Sequence, residues 1–407
     1  METNYFQRKI SSDFLVLLNR IPIFVHPLKT SRLPFFMYFR FKYPLLVVIL
    51  CLLTEVYGFS QSILLQVKGA LPVNLYEDSG LDYVEGNTFW THNDGYGDNH
   101  LYRINEVGNV LDTLTIVNAI NYDWEDLTHD SAQQYMFIGD FGNNICQRAN
   151  LRIYRIPYPS DTTLTFAAAV PIFFSYPDQQ LFPSPWMNFD AEGFFHYQNQ
   201  LFIFTKGDST ATGFTKLYSI PDSPGSYNAT FIDSFYINDR ITGADISPDG
   251  STVILLSNTK LHLFQNFTST NFFTGMYTRL SISGSRTKKE GITFVDDKSI
   301  YLTDENEGFG NHLFKGDLSF WTSLNERAYE QIQLYPDPAN AFINIKTDRI
   351  PVKNIELYNS NGRCLRKIET AKDQMIPTDQ LSNGTYFLRL VLEDGNFISK
   401  RFLVMNR

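Results

Sequence analysis

Residues 125–140 read EDLTHDSAQQYMFIGD, and the same shape returns four more times along the chain. Residues 79–94 read SGLDYVEGNTFWTHND, 192–207 EGFFHYQNQLFIFTKG, 244–259 ADISPDGSTVILLSNT and 290–305 EGITFVDDKSIYLTDE. Each holds a short apolar strand, a turn of polar residues or glycine, a second strand, and a polar or acidic cluster at its end. Two further strands follow, such as HLYRIN and NVLDTLTI after the first unit, or LRIYRIP and VPIFFSYP after the second. The anchors fall at 79, 125, 192, 244 and 290, and the longest interval carries the Pro-rich stretch 176–186, read as an inserted loop. Four strands per unit at such a period is the signature of β-propeller blades.

The expected fold is therefore all-β, with a five-bladed propeller over 62–325 and six blades as the alternative. The last unit supplies HLFKGDL as a third strand and no clear fourth. SILLQVKG at 62–69 precedes the first anchor much as YTRLSISG precedes the fifth, so it is expected to supply the missing outer strand and join the ends. Closure removes an open sheet edge, which is an aggregation hazard. A plain many-stranded β-sandwich would also give short strands and turns, but not a Glu or Asp recurring beside the strand start.

Composition agrees with a chain built of sheets. Phe 35 and Tyr 23 stand against a charged fraction of 19%, and aromatic rings suit half-buried pleated faces. The net charge of −9 argues against a nucleic-acid partner, which would want a basic stripe, and leaves room for cations. Cys51, Cys146 and Cys364 fall in three different segments, so neither a disulfide framework nor a zinc spacing is expected.

The N-terminal part reads as an address. From Met37 the chain runs MYFRFKYPLLVVILCLLTEVYGFSQS. Arg40 and Lys42 precede the apolar run Tyr43 to Leu53, and the small or polar Gly58 and Ser60 follow. That run is shorter than the roughly 20 residues a permanent membrane helix needs. The layout is that of a signal peptide over 37–61, with no permanent transmembrane helix expected. Cys51 follows the bulky Leu50 in mid-run, unlike a lipoprotein cysteine. Residues 1–36 are read as an upstream extension, with Met37 the start.

After a linker at 326–330 the pattern changes. Residues 331–407 hold alternating strands separated by Asn361-Gly362, Asn383-Gly384 and Asp394-Gly395. Such pairs supply the positive φ of tight hairpins, so a small β-sandwich is expected here. Tyr335-Pro336-Asp337-Pro338-Ala339 resembles the opening of the type IX secretion (Por) C-terminal sorting domain. Tyr358 with Gly362-Arg363 is similar to that family's central tyrosine and basic turn. Leu381, Gly384 and Tyr386 match its L-x-x-G-x-Y element, and Lys400-Arg401-Phe402 its closing basic strand. Asp337 stands where the family usually has Asn. The resemblance implies the type IX machinery as a partner, and a secreted or outer-membrane surface location. Members of that family often lose this domain by cleavage.

Chemistry is expected where the inner strands meet. Glu125, Glu192 and Glu290 share the anchor position, while Asn93, Asp94, Asp140, Asp304 and Glu305 end the second strands. Like charges gathered at one rim call for protons or a bridging cation, and calcium, with its six to eight flexible oxygen ligands, is the candidate ion. The metal-ligand candidates are thus Glu125, Glu192, Glu290, Asp94, Asp140 and Asp304. Asp and Asn also simply form turns. The strand starts resemble, weakly, those of phytase-like and lactonase-like extracellular propellers. That resemblance implies an alternative function, a metal-dependent esterase or phosphoesterase with His92 or His129 as base. Lys206 would neutralise a neighbouring Glu or pair with an anionic ligand. The leading expectation is ligand or partner binding at the channel mouth, and a surface adhesion component is a further alternative.

Overall fold

The structure, a computed structural model, describes residues 62–95, 98–160, 163–185, 187–207, 212–284, 287–305, 310–319, 332–347, 350, 352–359, 364–371, 374–392 and 397–406. The expected extension, signal peptide and linker, and the turns at Gly362 and Gly395, lie outside these residues.

Two strands open the described chain, β1 (Ser62–Leu64) and β2 (Gln66–Ala70). The first repeat then forms β3 (Asp78–Val84), β4 (Thr88–Asn93), β5 (His100–Asn105) and β6 (Val110–Val117). The second forms β7 (Trp124–His129), β8 (Tyr135–Asp140), β9 (Arg152–Pro157), the short β10 (Phe166–Ala168) and β11 (Val170–Ser175). The third comprises β12 (Ala191–Tyr197), β13 (Gln200–Thr205), β14 (Phe214–Pro221), β15 (Gly225–Asn228) and β16 (Thr230–Tyr236). The fourth has β17 (Ile241–Ile246), β18 (Thr252–Ser257), β19 (Lys260–Gln265) and β20 (Met276–Ser283). The fifth has β21 (Lys289–Phe294), β22 (Ser299–Asp304) and β23 (His312–Asp317), and its outer strand is β2, antiparallel to β23 with Val67 opposite Phe314. The body is β-propeller-like: antiparallel sheets follow one another along the chain, each with its first strand innermost.

One irregularity repeats in every inner strand. The register slips at Ser79/Leu81, Trp124/Leu127, Ala191/Gly193, Ile241/Gly243 and Lys289/Ile292. A bulge bends a strand and raises its twist, and here it lets neighbouring inner strands approach backbone to backbone. A Cβ on Gly193 would lie 2.6 Å from the carbonyl carbon of Gly243, and one on Gly243 would lie 2.7 Å from the oxygen of Glu290. The recurring Glu-Gly pairs are thus explained: Glu at the mouth, then glycine where no side chain fits. In the second sheet the glycine is replaced by Asp126, whose buried carboxylate instead reaches across and accepts the backbone N–H groups of Phe194 at 3.1 Å and Ala244 at 3.2 Å, with Leu127 at 2.8 Å.

The aromatic residues fill the spaces between sheets. Phe137, Phe141, Phe194 and Tyr218 belong to one buried cluster; Phe195, Phe202, Phe204, Phe235, Phe264 and Phe272 belong to the next. Each such ring contributes about 2–3 kcal/mol by leaving water. Outer edges are covered by short parallel strands. β10 lies on β6, β15 on β11 and β1 on β20. In each case the short strand precedes the outer strand of the following sheet, so the β1–β2 pair repeats the pattern of β10–β11 across the chain's two ends.

The C-terminal module consists of β24 (Gln333–Tyr335), β25 (Phe342–Lys346), β26 (Val352–Asn359), β27 (Cys364–Ala371), β28 (Gln374–Pro377), β29 (Gly384–Leu392) and β30 (Phe397–Val404). Two strand groups, β24-β25-β28 and β30-β29-β26-β27, share a core of Ile343, Ile345, Ile355, Leu388, Leu390 and Phe402. β30 also pairs with β20, Tyr277 opposite Phe397 and Met276 opposite Ile398. Phe397 stacks on Tyr277 with ring centres 4.1 Å apart, and the Arg389 guanidinium lies 3.9 Å from Phe397 and 4.8 Å from Phe235. Phe397→Ala is expected to cost this contact about 3 kcal/mol. Amide exchange at 276–277 and 397–398 should then rise by about two orders of magnitude, while the module's own core stays protected. Unchanged exchange there would show that the module does not rest on this sheet.

Candidate functional site

The inner strands begin at one end of the body, and the loops after the second strands return to the same end. There they enclose a cavity of about 230 Å³ lined by Glu125, Glu192 and Glu290, with Asp94, Glu305 and Lys206 among the neighbours. The three anchor glutamates thus share one opening. Glu125 is 5% exposed and Glu290 9%; among the described residues no donor reaches either carboxylate. Two groups of carboxylates bring ligand atoms within 4.8 Å of one another: Asp94, Asp123 and Glu125, and Glu125, Asp190 and Glu192. Glu125 belongs to both.

Burial, then repulsion from Glu192, Asp94 and Asp123, holds the Glu125 carboxyl well above the usual carboxylate range. Burial with Glu192 and Glu305 does the same for Glu290. Burial foremost raises Asp94 to about 7 and Asp123 to about 6. Lys206 counters part of this charge. Its Nζ pairs with Glu192, lies 2.9 Å from Asp190 and donates to Asn144 at 3.2 Å.

Two expected ligands stand elsewhere. Asp140 is fully buried and receives Arg148 at 2.8 Å and Arg152 at 3.0 Å. Asp304 is fully buried against Lys289 at 3.0 Å and accepts the His312 N–H at 2.7 Å. Neither lines the cavity. The reason is the pleat. Asn93, Asp140, Thr205, Ser257 and Asp304 all end second strands and face away, while Asp94, Lys206, Asn258 and Glu305, one residue later, face the opening. Asp123 and Asp190 were not singled out from the sequence, although both sit two residues before an anchor glutamate. The equivalent positions in the fourth and fifth repeats, two residues before Thr242 and Glu290, carry Arg240 and Lys288, both lining the cavity.

The histidines are likewise committed. His92 is buried, edge-on to Trp124, and its Nδ1–H donates to the Asn93 carbonyl at 3.0 Å; burial depresses it to about 4. His129 sits 2.8 Å from Asp82 on the neighbouring inner strand. Burial opposes its charge, but the Asp82 carboxylate outweighs that and lifts it to about 9. Neither ring borders the cavity.

In the C-terminal module the motif residues have structural tasks. The Ala339 N–H donates to Leu403 at 2.7 Å, Met405 donates back to Ala339 at 2.8 Å, and Asp337 accepts the Leu403 N–H at 2.9 Å. The segment Tyr335-Pro336-Asp337-Pro338-Ala339 thereby covers the end of β30, and its prolines offer no donor of their own. Gly384 opens β29, where Tyr386 is buried and donates its hydroxyl to Ser382 at 2.9 Å. Tyr358 donates to Glu356 at 2.7 Å beside Arg389. Half-buried Lys400 lies on β30, where burial lowers it to about 8. Residues 333–405 match the family described as Secretion system C-terminal sorting domain. The module is a type IX sorting domain. A protein carrying it is exported, to the medium or to the outer-membrane cell surface.

No curated protein matches the chain. Among solved structures it is similar to the WD40 β-propeller domain of Doa1, with 11% identity, TM-score 0.30, and 83% of this chain covering 96% of that one. It is also similar to virginiamycin B lyase from Staphylococcus aureus (11% identity, TM-score 0.32, 83% and 99% covered) and to the PQQ-bound aldose sugar dehydrogenase from Streptomyces coelicolor (12%, 0.35, 77% and 97%). The fold of the body rests on its own sheet pattern, and none of these similarities bears on its activity. No helix among the described residues is long and apolar enough to cross a membrane.

Proposed function

We propose that the chain is an exported five-bladed β-propeller, joined to a β-sandwich sorting domain, whose channel mouth binds a ligand or partner through a cation, with calcium the ion. One observation carries this reading. Glu125 is almost wholly buried, has no donor among the described residues, and its carboxylate oxygen lies within 4.8 Å of those of Asp94 and Asp123. Calcium accepts six to eight oxygens at flexible angles, whereas magnesium demands a near-ideal octahedron. The loops leading into β3, β7 and β12 carry the exposed Val73, Tyr76, Ile120, Tyr122, Leu181 and Phe182, apolar side chains suited to covering by a macromolecular or apolar partner. An esterase or phosphoesterase would want a base beside the ion, and His92 and His129 are engaged elsewhere.

Millimolar CaCl2 is expected to raise the melting temperature of the secreted chain by about 5 °C or more, magnesium by less, and Glu125→Gln to abolish the rise. A melting temperature indifferent to calcium and chelator would remove the reading. A pH dependence accompanies it. Glu125, Glu290, Asp94 and Asp123 keep their protons to higher pH when folded than when unfolded, so the folded chain binds more protons above about pH 4. Without calcium, stability should therefore fall as pH rises through about 6 and 7, where Asp123 and Asp94 ionise. Bound calcium neutralises that charge, so the fall should flatten. Melting curves at mildly acid and mildly alkaline pH, with calcium and with EDTA, measure both slopes.

A further inference from the structure

The two carboxylate groups that share Glu125 are not equivalent. Around Asp190 and Glu192 a protein cation is already in place. Lys206 Nζ lies 2.9 Å from Asp190, pairs with Glu192, and is oriented by the Asn144 side chain at 3.2 Å. Around Asp94 and Asp123 no lysine ammonium stands within ion-pair distance of either carboxylate among the described residues, and Glu125, nine-tenths buried and without a donor, points into the cavity between the groups. An ammonium and a divalent ion compete for the same carboxylate oxygens, and a tethered ammonium loses little freedom on binding. Lys206 rises from the end of β13, held by the strand beside the Glu192 strand, so its position follows from the sheet and not from a mobile loop.

We infer that Lys206 is a built-in cation standing in the second of two adjoining cation sites. The mouth then takes one divalent ion, at Asp94, Asp123 and Glu125, and becomes a two-ion mouth only when Lys206 is neutralised or displaced. This rests on the cation reading above and assigns new residues within it: Asp123 as a ligand, and Asp190, which also accepts the Asn143 backbone N–H at 2.6 Å, as a partner of Lys206 and not of the ion.

Native mass spectrometry and calcium titration calorimetry on the secreted chain test it. The wild-type chain should bind one calcium at the mouth. Asp123→Asn should weaken it by at least about 100-fold, the loss of a charged oxygen ligand, while Asp190→Asn should leave stoichiometry at one and affinity within about threefold. Lys206→Met should bind two. A Lys206→Met chain that folds poorly without calcium and recovers with it supports the inference equally through its melting curve, since the ion replaces the lost ammonium. Asp190→Asn losing the ion as Asp123→Asn does, or Lys206→Met remaining at one, would overturn the inference while leaving the cation reading intact. No calcium bound by wild type or by Lys206→Met would overturn both.

Discussion

A chain lacking residues 333–407 is expected to stop in the periplasm, with the extracellular and surface fraction falling to background. The sorting domain has a core built from Ile343, Ile355, Leu388 and their neighbours, which Met276 of the body joins, and it carries the address for the second membrane. Its removal also strips Phe397 and Arg389 from Phe235 and Tyr277, so a control must separate routing from folding. The body's own sheets do not depend on β30, which meets β20 at only two residue pairs. The truncated protein recovered from the periplasm should therefore keep a cooperative melt a few degrees below that of the full chain. Cell fractionation reads the result, and full export of the truncated chain would mean that another segment carries the address.

Asp126→Ala should be the most damaging single substitution in the body. The carboxylate accepts three backbone N–H groups from three successive segments, at Leu127, Phe194 and Ala244, all in the body's centre. Alanine would leave these donors buried without acceptors, at about 1–3 kcal/mol each, against a whole-domain stability of about 5–15 kcal/mol. Burial pushes the Asp126 carboxyl upward while these N–H donors pull it back, and both oxygens accept, Oδ1 from Leu127 and Oδ2 from Phe194 and Ala244. An asparagine side chain at this position would keep an acceptor oxygen, and Asp126→Asn is expected to lose roughly half as much stability as Asp126→Ala. Thermal or urea unfolding measures the pair. An Asp126→Ala melt within a few degrees of wild type would show that the three inner strands are not held through this side chain.

The repeat was legible because each unit must put an apolar strand at the axis and turn back between successive strands before the next unit begins. The anchor glutamates were legible too, since Glu125, Glu192 and Glu290 occupy one register position and reach one cavity. What could not be read was the facing of neighbours at a strand end. Asp304 and Glu305 are adjacent in sequence, yet one is sealed against Lys289 and the other faces the opening. Deciding between them requires the register of β22, which the bulge in β21 shifts by one residue. Asp140 misled for the same reason: only the fold brings Arg148 and Arg152 onto it. Asp126 left a faint mark, as the one charged residue where other repeats place glycine. In the sorting domain the motif was plain, but its task of covering β30 shows only once Ala339 is seen beside Leu403.

Whether carboxylates from successive sheets jointly hold an ion is tested most directly by anomalous diffraction from crystals of the secreted chain grown with calcium. A single peak bonded to oxygens of Asp94, Asp123 and Glu125, with Lys206 still seated on Asp190 and Glu192, is the predicted result. A mouth without a peak at saturating calcium, or with the side chains of Glu125 and Glu290 turned apart into bulk water, would contradict it.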